Sequence, residues 1–194
     1  MSFGNFARKV RDPALPYRHR VSALRSYVQL YRPLGFLETL SFLELKAGRF
    51  QRDETALLRA LEVIEESRAA REAAVLAYAT IRREAKRQGR RIPRREDFNP
   101  NAQDYGYWFG APGEAARHAL RFWLQRRLPG LRPLTDPVLL ELSQCVSLCL
   151  ESDGELRTVE RDTLAARMNG LERSVQSWDL LKIVRLIGVA IGSG

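Results

Sequence analysis

The sequence predicts an all-α fold: a compact multi-helix bundle built on two similar helical hairpins, with one long basic and aromatic loop. Three observations carry that expectation. Apolar residues recur at three- and four-residue spacing in nearly every segment, the mark of a helix with one buried face. Gly and Pro punctuate the ends of these segments rather than their interiors. Sustained strand alternation is found nowhere along the chain. A length of 194 residues with 45% hydrophobic content is enough for one core. Residues 1–194 are therefore expected as a single helical domain, with 1–17 as a basic N-terminal arm and 90–112 as the irregular loop.

The elements follow in order. Residues 18–31, RHRVSALRSYVQLY, place Val21, Leu24, Val28 and Tyr31 on one stripe. Pro33 suits the first turn of the next helix, 33–47, which is apolar nearly all round and should be deeply buried. Gly48 is a natural stop. Residues 53–88 hold no Gly or Pro and are rich in strong helix formers, so one helix of about 54 Å is expected. Its apolar stripe falters at Glu65–Arg68, which allows a bend near 66–68. Gly89 ends it. Helix resumes over 113–128, with Ala116, Leu120, Trp123 and Leu128 inward. Asp136 caps the next helix and Pro137 takes its first turn. Helices are then expected over about 138–151, 158–168 and 174–190.

Placing Gly48 on Gly154 aligns two helix–turn–helix stretches 106 residues apart. Phe36 falls on Leu142, Leu40 on Val146, Leu43 on Cys149, Phe50 on Leu156, Glu54 on Glu160 and Leu58 on Leu164. The shared pattern, Gly-x-(Phe/Leu)-x-x-x-Glu-x-x-x-Leu, has a local reading. Glycine permits a left-handed helix stop, the next large side chain packs back on the hairpin, and Glu suits the following helix dipole. The second copy, an apolar helix followed by Asp153-Gly154-Glu155-Leu156 and then Glu160, resembles the TerB-like helical family of tellurite resistance. That resemblance covers residues 138–168 best. It implies an all-α fold, a protein-interaction role in a stress or defence system, and a divalent metal on Asp153, Glu155 and Glu160. Ala47 stands where the second copy has Asp153.

Composition narrows function by charge more than by motif. The net charge is +9, and Arg far outnumbers Lys. An excess on that scale favours a polyanionic partner. The stretch IRREAKRQGRRIPRRED carries Arg82, Arg83, Lys86, Arg87, Arg90, Arg91, Arg94 and Arg95. On a helix, Arg83, Lys86, Arg87 and Arg90 would form one face. Guanidinium forks match phosphate oxygens. Tyr105, Tyr107, Trp108 and Phe109 follow closely, and aromatics beside Arg clusters can stack on unpaired bases. The N-terminal arm adds Arg8, Lys9 and Arg11, with Arg18, Arg20, Arg25 and Arg32 beyond. A third basic zone holds Arg117, Arg121, Arg126, Arg127 and Arg132. The leading expectation is a non-enzymatic protein that binds nucleic acid through its phosphates, as an accessory subunit of a larger assembly.

Other classes find less support. His19 and His118 are the only histidines and neither has a metal-ligand neighbour at useful spacing. There is no phosphate-binding glycine loop, zinc-protease helix or nucleophile elbow, so no cofactor is expected. Asp97-Phe-Asn99-Pro-Asn101 begins like a calcium loop, but Ala102 and Trp108 occupy the positions needing Gly and Glu, so an Asx-type turn is expected. Cys145 and Cys149 share one face of an apolar helix and read as buried small residues. No secretory segment is recognisable, and the apolar stretch 180–192 is short and contains Lys182 and Arg185. The expected setting is the cytoplasm, with nucleic acid as partner, room for protein partners, and no membrane.

Overall fold

The computed structural model describes residues 2–91, 93–94, 98–102, 106–131, 136–152, 158–175 and 177–192. It is all-α. Its helices are α1 (Phe3–Arg11), α2 (Tyr17–Leu30), α3 (Phe36–Ala47), α4 (Glu54–Arg87), α5 (Pro112–Phe122), α6 (Pro137–Glu151), α7 (Thr158–Ser174) and α8 (Trp178–Gly192). No strand occurs among the described residues. The chain divides into two compact units: residues 1–31 with 46–104, and residues 32–45 with 105–194.

The first unit is built on α1, α2 and α4. Leu24, Tyr27 and Val28 of α2 are buried with Leu57, Leu61 and Ile64 of α4. Each such side chain contributes about 1.5–3 kcal/mol by leaving water. The expected N-terminal arm is instead mostly helix. Phe6, Ala7 and Val10 of α1 recur at helical spacing and are buried, which docks α1 on α2 and α4. Arg20 is correspondingly a core residue, not part of a basic surface. It is 3% exposed, donates from Nε to the Val10 carbonyl at 2.8 Å and pairs with Glu54 at 2.7 Å.

α4 runs unbroken for 34 residues, about 51 Å, with Asp53 accepting the Thr55 N–H at its start. The helix is not interrupted near 66–68. The polar residues that interrupt its stripe find specific partners. Ser67 is buried and bonded to the Tyr31 hydroxyl at 3.1 Å, and the Arg68 guanidinium lies 4.5 Å over the Phe3 ring. Beyond Ser67 only Ala85 of α4 is buried, and Leu76 is exposed.

In the second unit α5 packs along α8, and α6 packs on α7 and α8. Ala115, Ala116 and Ala119 give α5 a smooth buried face. Leu142, Val146, Leu164, Leu186 and Ile187 are fully buried. The apolar stretch 180–192 belongs to this core as α8, and no described helix is long and apolar enough to cross a membrane. α3 begins at Phe36 rather than Pro33, because Gly35 adopts a left-handed φ of 100° that breaks the helical path. The Pro33 carbonyl accepts the Gly106 N–H at 2.6 Å. Asp136 caps α6 from its side chain, as the sequence predicts, and α7 runs on past 168 to Ser174. After Phe122, α5 widens into a π-helical turn, Trp123–Arg127, closed by the Leu128 N–H on the Trp123 carbonyl.

Gly48 does take the left-handed stop, with φ of 96°. The two aligned hairpins have unequal surroundings. α6 and α7 pack together within one unit, whereas the unit boundary falls inside α3, after Leu45. The turn of the second copy, residues 153–157, lies outside the described residues.

Candidate functional site

The basic stretch forms the end of α4 and the chain just after it. Arg82, Arg83, Lys86 and Arg87 are exposed on its last two turns. The helix stops in a Schellman motif: the Arg90 N–H donates to the Ala85 carbonyl at 2.8 Å and the Gly89 N–H to Lys86 at 3.1 Å. Gly89 there has a φ of 72°. Arg90 is thus off the helix and half-buried, and does not share a helical face with Arg83, Lys86 and Arg87. Arg91 and Arg94 are exposed, and Arg95 lies outside the described residues. Glu84 meets Arg87 at 3.5 Å and is the one carboxylate among the described residues of 80–94. An exposed pair of that kind constrains the arginine little.

The predicted contacts on α1 lie apart from this cluster. Arg8 and Lys9 are exposed on α1, while Arg11 is paired with Glu65. Contacts of α1 with Glu65 and Arg68 place it beside the middle of α4, about 20 Å along the helix from Arg82. Tyr107 and Trp108 belong to the second unit. Trp108 is buried edge-on to Phe42 at 4.8 Å, so its ring is taken up by packing. Tyr107 is half-buried against Phe109 at 4.8 Å, and burial raises its phenol pKa. Tyr105 lies outside the described residues. Phe98 remains an exposed aromatic beside the basic stretch. Asn99 makes the expected Asx turn, accepting the Asn101 N–H at 3.0 Å.

The second unit contains an arrangement that sequence reasoning missed. A cavity of 510 Å³ opens where α3 and α8 begin, lined by Arg32, Gly35, Glu38, Arg127, Trp178, Asp179, Lys182 and Arg185, with Phe36. Glu38 is 6% exposed and lies 3.5 Å from the Lys182 ammonium and 4.0 Å from Arg127 Nε. Burial lowers the Lys182 pKa, against the opposing pull of Glu38. A Cβ at Gly35 would meet the ends of the Lys182 and Glu38 side chains, which would have to shift, and the φ of 100° favours glycine there. A neighbouring cavity of 440 Å³ shares Glu38, Arg127, Asp179 and Lys182. The signal for this site was present but faint. Glu38, Lys182 and Arg185 are charges inside runs that should be wholly apolar. The partners of Glu38, Arg127 and Lys182, come from segments more than 80 residues away from it, which no local pattern joins.

Elsewhere the groups are structural. His118 bonds to Ser41 Oγ at 3.0 Å and packs on Phe42 at 5.5 Å, and burial lowers its pKa. Cys145 and Cys149 are fully buried, and burial pushes the Cys149 thiol up to about 11. Among the described residues no group of three His, Cys, Asp or Glu could hold a metal ion. Of the acids implied by the TerB-like resemblance, Asp153 and Glu155 lie outside the described residues, and Glu160 is half-buried in the first turn of α7. Comparisons with protein-family models, curated proteins and solved structures found no match.

Proposed function

We propose that this chain is a non-enzymatic nucleic-acid-binding protein whose contact surface is the basic end of α4, serving as an accessory subunit of a larger assembly. One observation carries the reading: Arg82, Arg83, Lys86 and Arg87 are all exposed on the last two turns of one helix, and Arg91 is exposed just after it. Glu84, paired with Arg87, is the one carboxylate among the described residues of 80–94. A helix end concentrates cations on several sides of one rod, which suits phosphates approaching without fixed register. Its C-terminal carbonyls favour the cations but not the phosphates, so the side chains must supply the attraction.

Four phosphate contacts give a slope of about −3.6 in log K against log salt on duplex DNA. Affinity should therefore fall by roughly 10²-fold between 50 and 200 mM salt. Fluorescence anisotropy with labelled duplex and single-stranded DNA and RNA measures this. Replacing Arg82, Arg83, Lys86 and Arg87 together by Gln should remove most binding and flatten the salt slope, with the helical circular dichroism unchanged. Absence of binding to every probe at low salt, or full binding by the quadruple variant, rejects the proposal.

A further inference from the structure

We propose that the cavity at the beginnings of α3 and α8 binds a nucleotide, a small ligand carrying both a phosphate and an aromatic base. This site is distinct from the basic end of α4 and does not depend on it.

Four cationic side chains, Arg32, Arg127, Lys182 and Arg185, line the cavity against two carboxylates, Glu38 and Asp179. Glu38 is committed to Lys182 and Arg127, which leaves Arg32 and Arg185 as exposed cations at the mouth. Two helices of 12 and 15 residues start at the same opening, at Phe36 and Trp178. Their first-turn N–H groups add positive potential where a phosphate would sit. The π-helical turn Trp123–Arg127 carries Arg127 to the wall. Such turns inside α-helices are common at functional sites.

Trp178 decides the class of ligand. It is 71% exposed, an unusual state for the largest apolar side chain, and it stands at the rim of the cavity. Arg185 lies 5.9 Å from its ring centre on one side. The ring is thus a platform on which a planar base can stack, with a guanidinium at hand for the phosphate. Asp179 beside it would repel a pure polyanion, but it suits a ligand that also brings hydroxyl donors, as a ribose does. Cations, one free carboxylate and one open aromatic ring together match a nucleotide better than inorganic phosphate or an acidic peptide. The volume of 510 Å³ falls within the range of small-ligand pockets.

Isothermal titration of the full chain with ADP, GDP, CDP and UDP tests the assignment, with pyrophosphate and adenosine as partial ligands. Saturable binding of at least one nucleoside diphosphate is expected, tighter than either partial ligand and accompanied by a change in tryptophan fluorescence. Arg32→Ala, Arg185→Ala and Trp178→Ala should each weaken it about tenfold. Trp178→Phe should recover part of the loss, and Arg173→Ala, outside the cavity, should change nothing. Binding should persist in the quadruple α4 variant. The proposal is overturned if no nucleoside diphosphate binds at millimolar concentration, or if pyrophosphate binds as tightly as the best of them. It is also overturned if the correctly folded Arg185→Ala and Trp178→Ala proteins bind like the parent.

Discussion

At the scale of single residues, Glu38 shows how much one buried carboxylate constrains. It sits in the first turn of α3, 6% exposed, beside an ammonium that is itself largely buried. Removing its charge leaves Lys182 without its partner, and losing one member of a buried pair costs more than the pair contributes. Glu38→Gln should therefore destabilise the protein by about 2 kcal/mol in urea unfolding at pH 7, less than for a deep pair because the site opens to solvent. The dependence on pH has a definite sign. Lys182 has its folded pKa below the ordinary 10.5, so between that lowered value and 10.5 the unfolded chain binds more protons. The lysine's unfavourable contribution therefore shrinks as pH rises through that interval, and the deficit of Glu38→Gln should narrow with it. His118 behaves alike at lower pH. Its pKa lies below 6.5, so stability falls as pH drops below 6.5 and the unfolded chain takes up the proton first. Replacing it by Gln should flatten the acid limb of a plot of unfolding free energy against pH. An unchanged limb would mean that the histidine charges freely in the folded state.

At the scale of the helices, legibility tracked local chemistry. Asp136 and Pro137 announce α6, and the structure begins it there, with Asp136 Oδ1 accepting from Val138 at 2.9 Å and Leu139 at 3.3 Å. Asp136→Ala should cost about 1 kcal/mol, read as a lower urea midpoint with unchanged slope. Gly48 and Gly89 likewise stop their helices where sequence placed the stops. The misses have tertiary causes. α1 is only nine residues long, too short to be stable alone, and it is helical because Phe6 and Val10 find a surface on α2 and α4. α4 is not broken at 66–68, where Ser67 and Arg68 have partners, Tyr31 and Phe3, from distant parts of the chain. The start of α3 moves from Pro33 to Phe36 for the same kind of reason. The space over Gly35 is already filled by Lys182 and Glu38, which a local reading does not see.

At the scale of the whole molecule, the surplus of cations sets a competition that heating can measure. The net charge of +9 repels itself in the folded state and favours expansion. Against this stand ion pairs; the exposed ones within α4, such as Arg59–Glu62 at 3.4 Å and Arg87–Glu84 at 3.5 Å, are each worth little. The buried Lys182–Glu38 pair is shielded from dissolved ions by the protein around it, and Arg20 is shielded on its own side of the pair with the exposed Glu54. Added salt therefore screens the long-range repulsion more than it weakens the attractions that matter. The melting temperature should rise on going from low to moderate sodium chloride, by about 2–4 °C if screening recovers 1 kcal/mol in a chain of this size. The quadruple Gln variant of α4 removes four of the crowded cations and should show a smaller rise. A melting temperature that fell with salt in the parent protein would mean that the paired carboxylates outweigh the unpaired guanidinium groups. The charge available to a phosphate-bearing partner would then be smaller than the sequence total suggests.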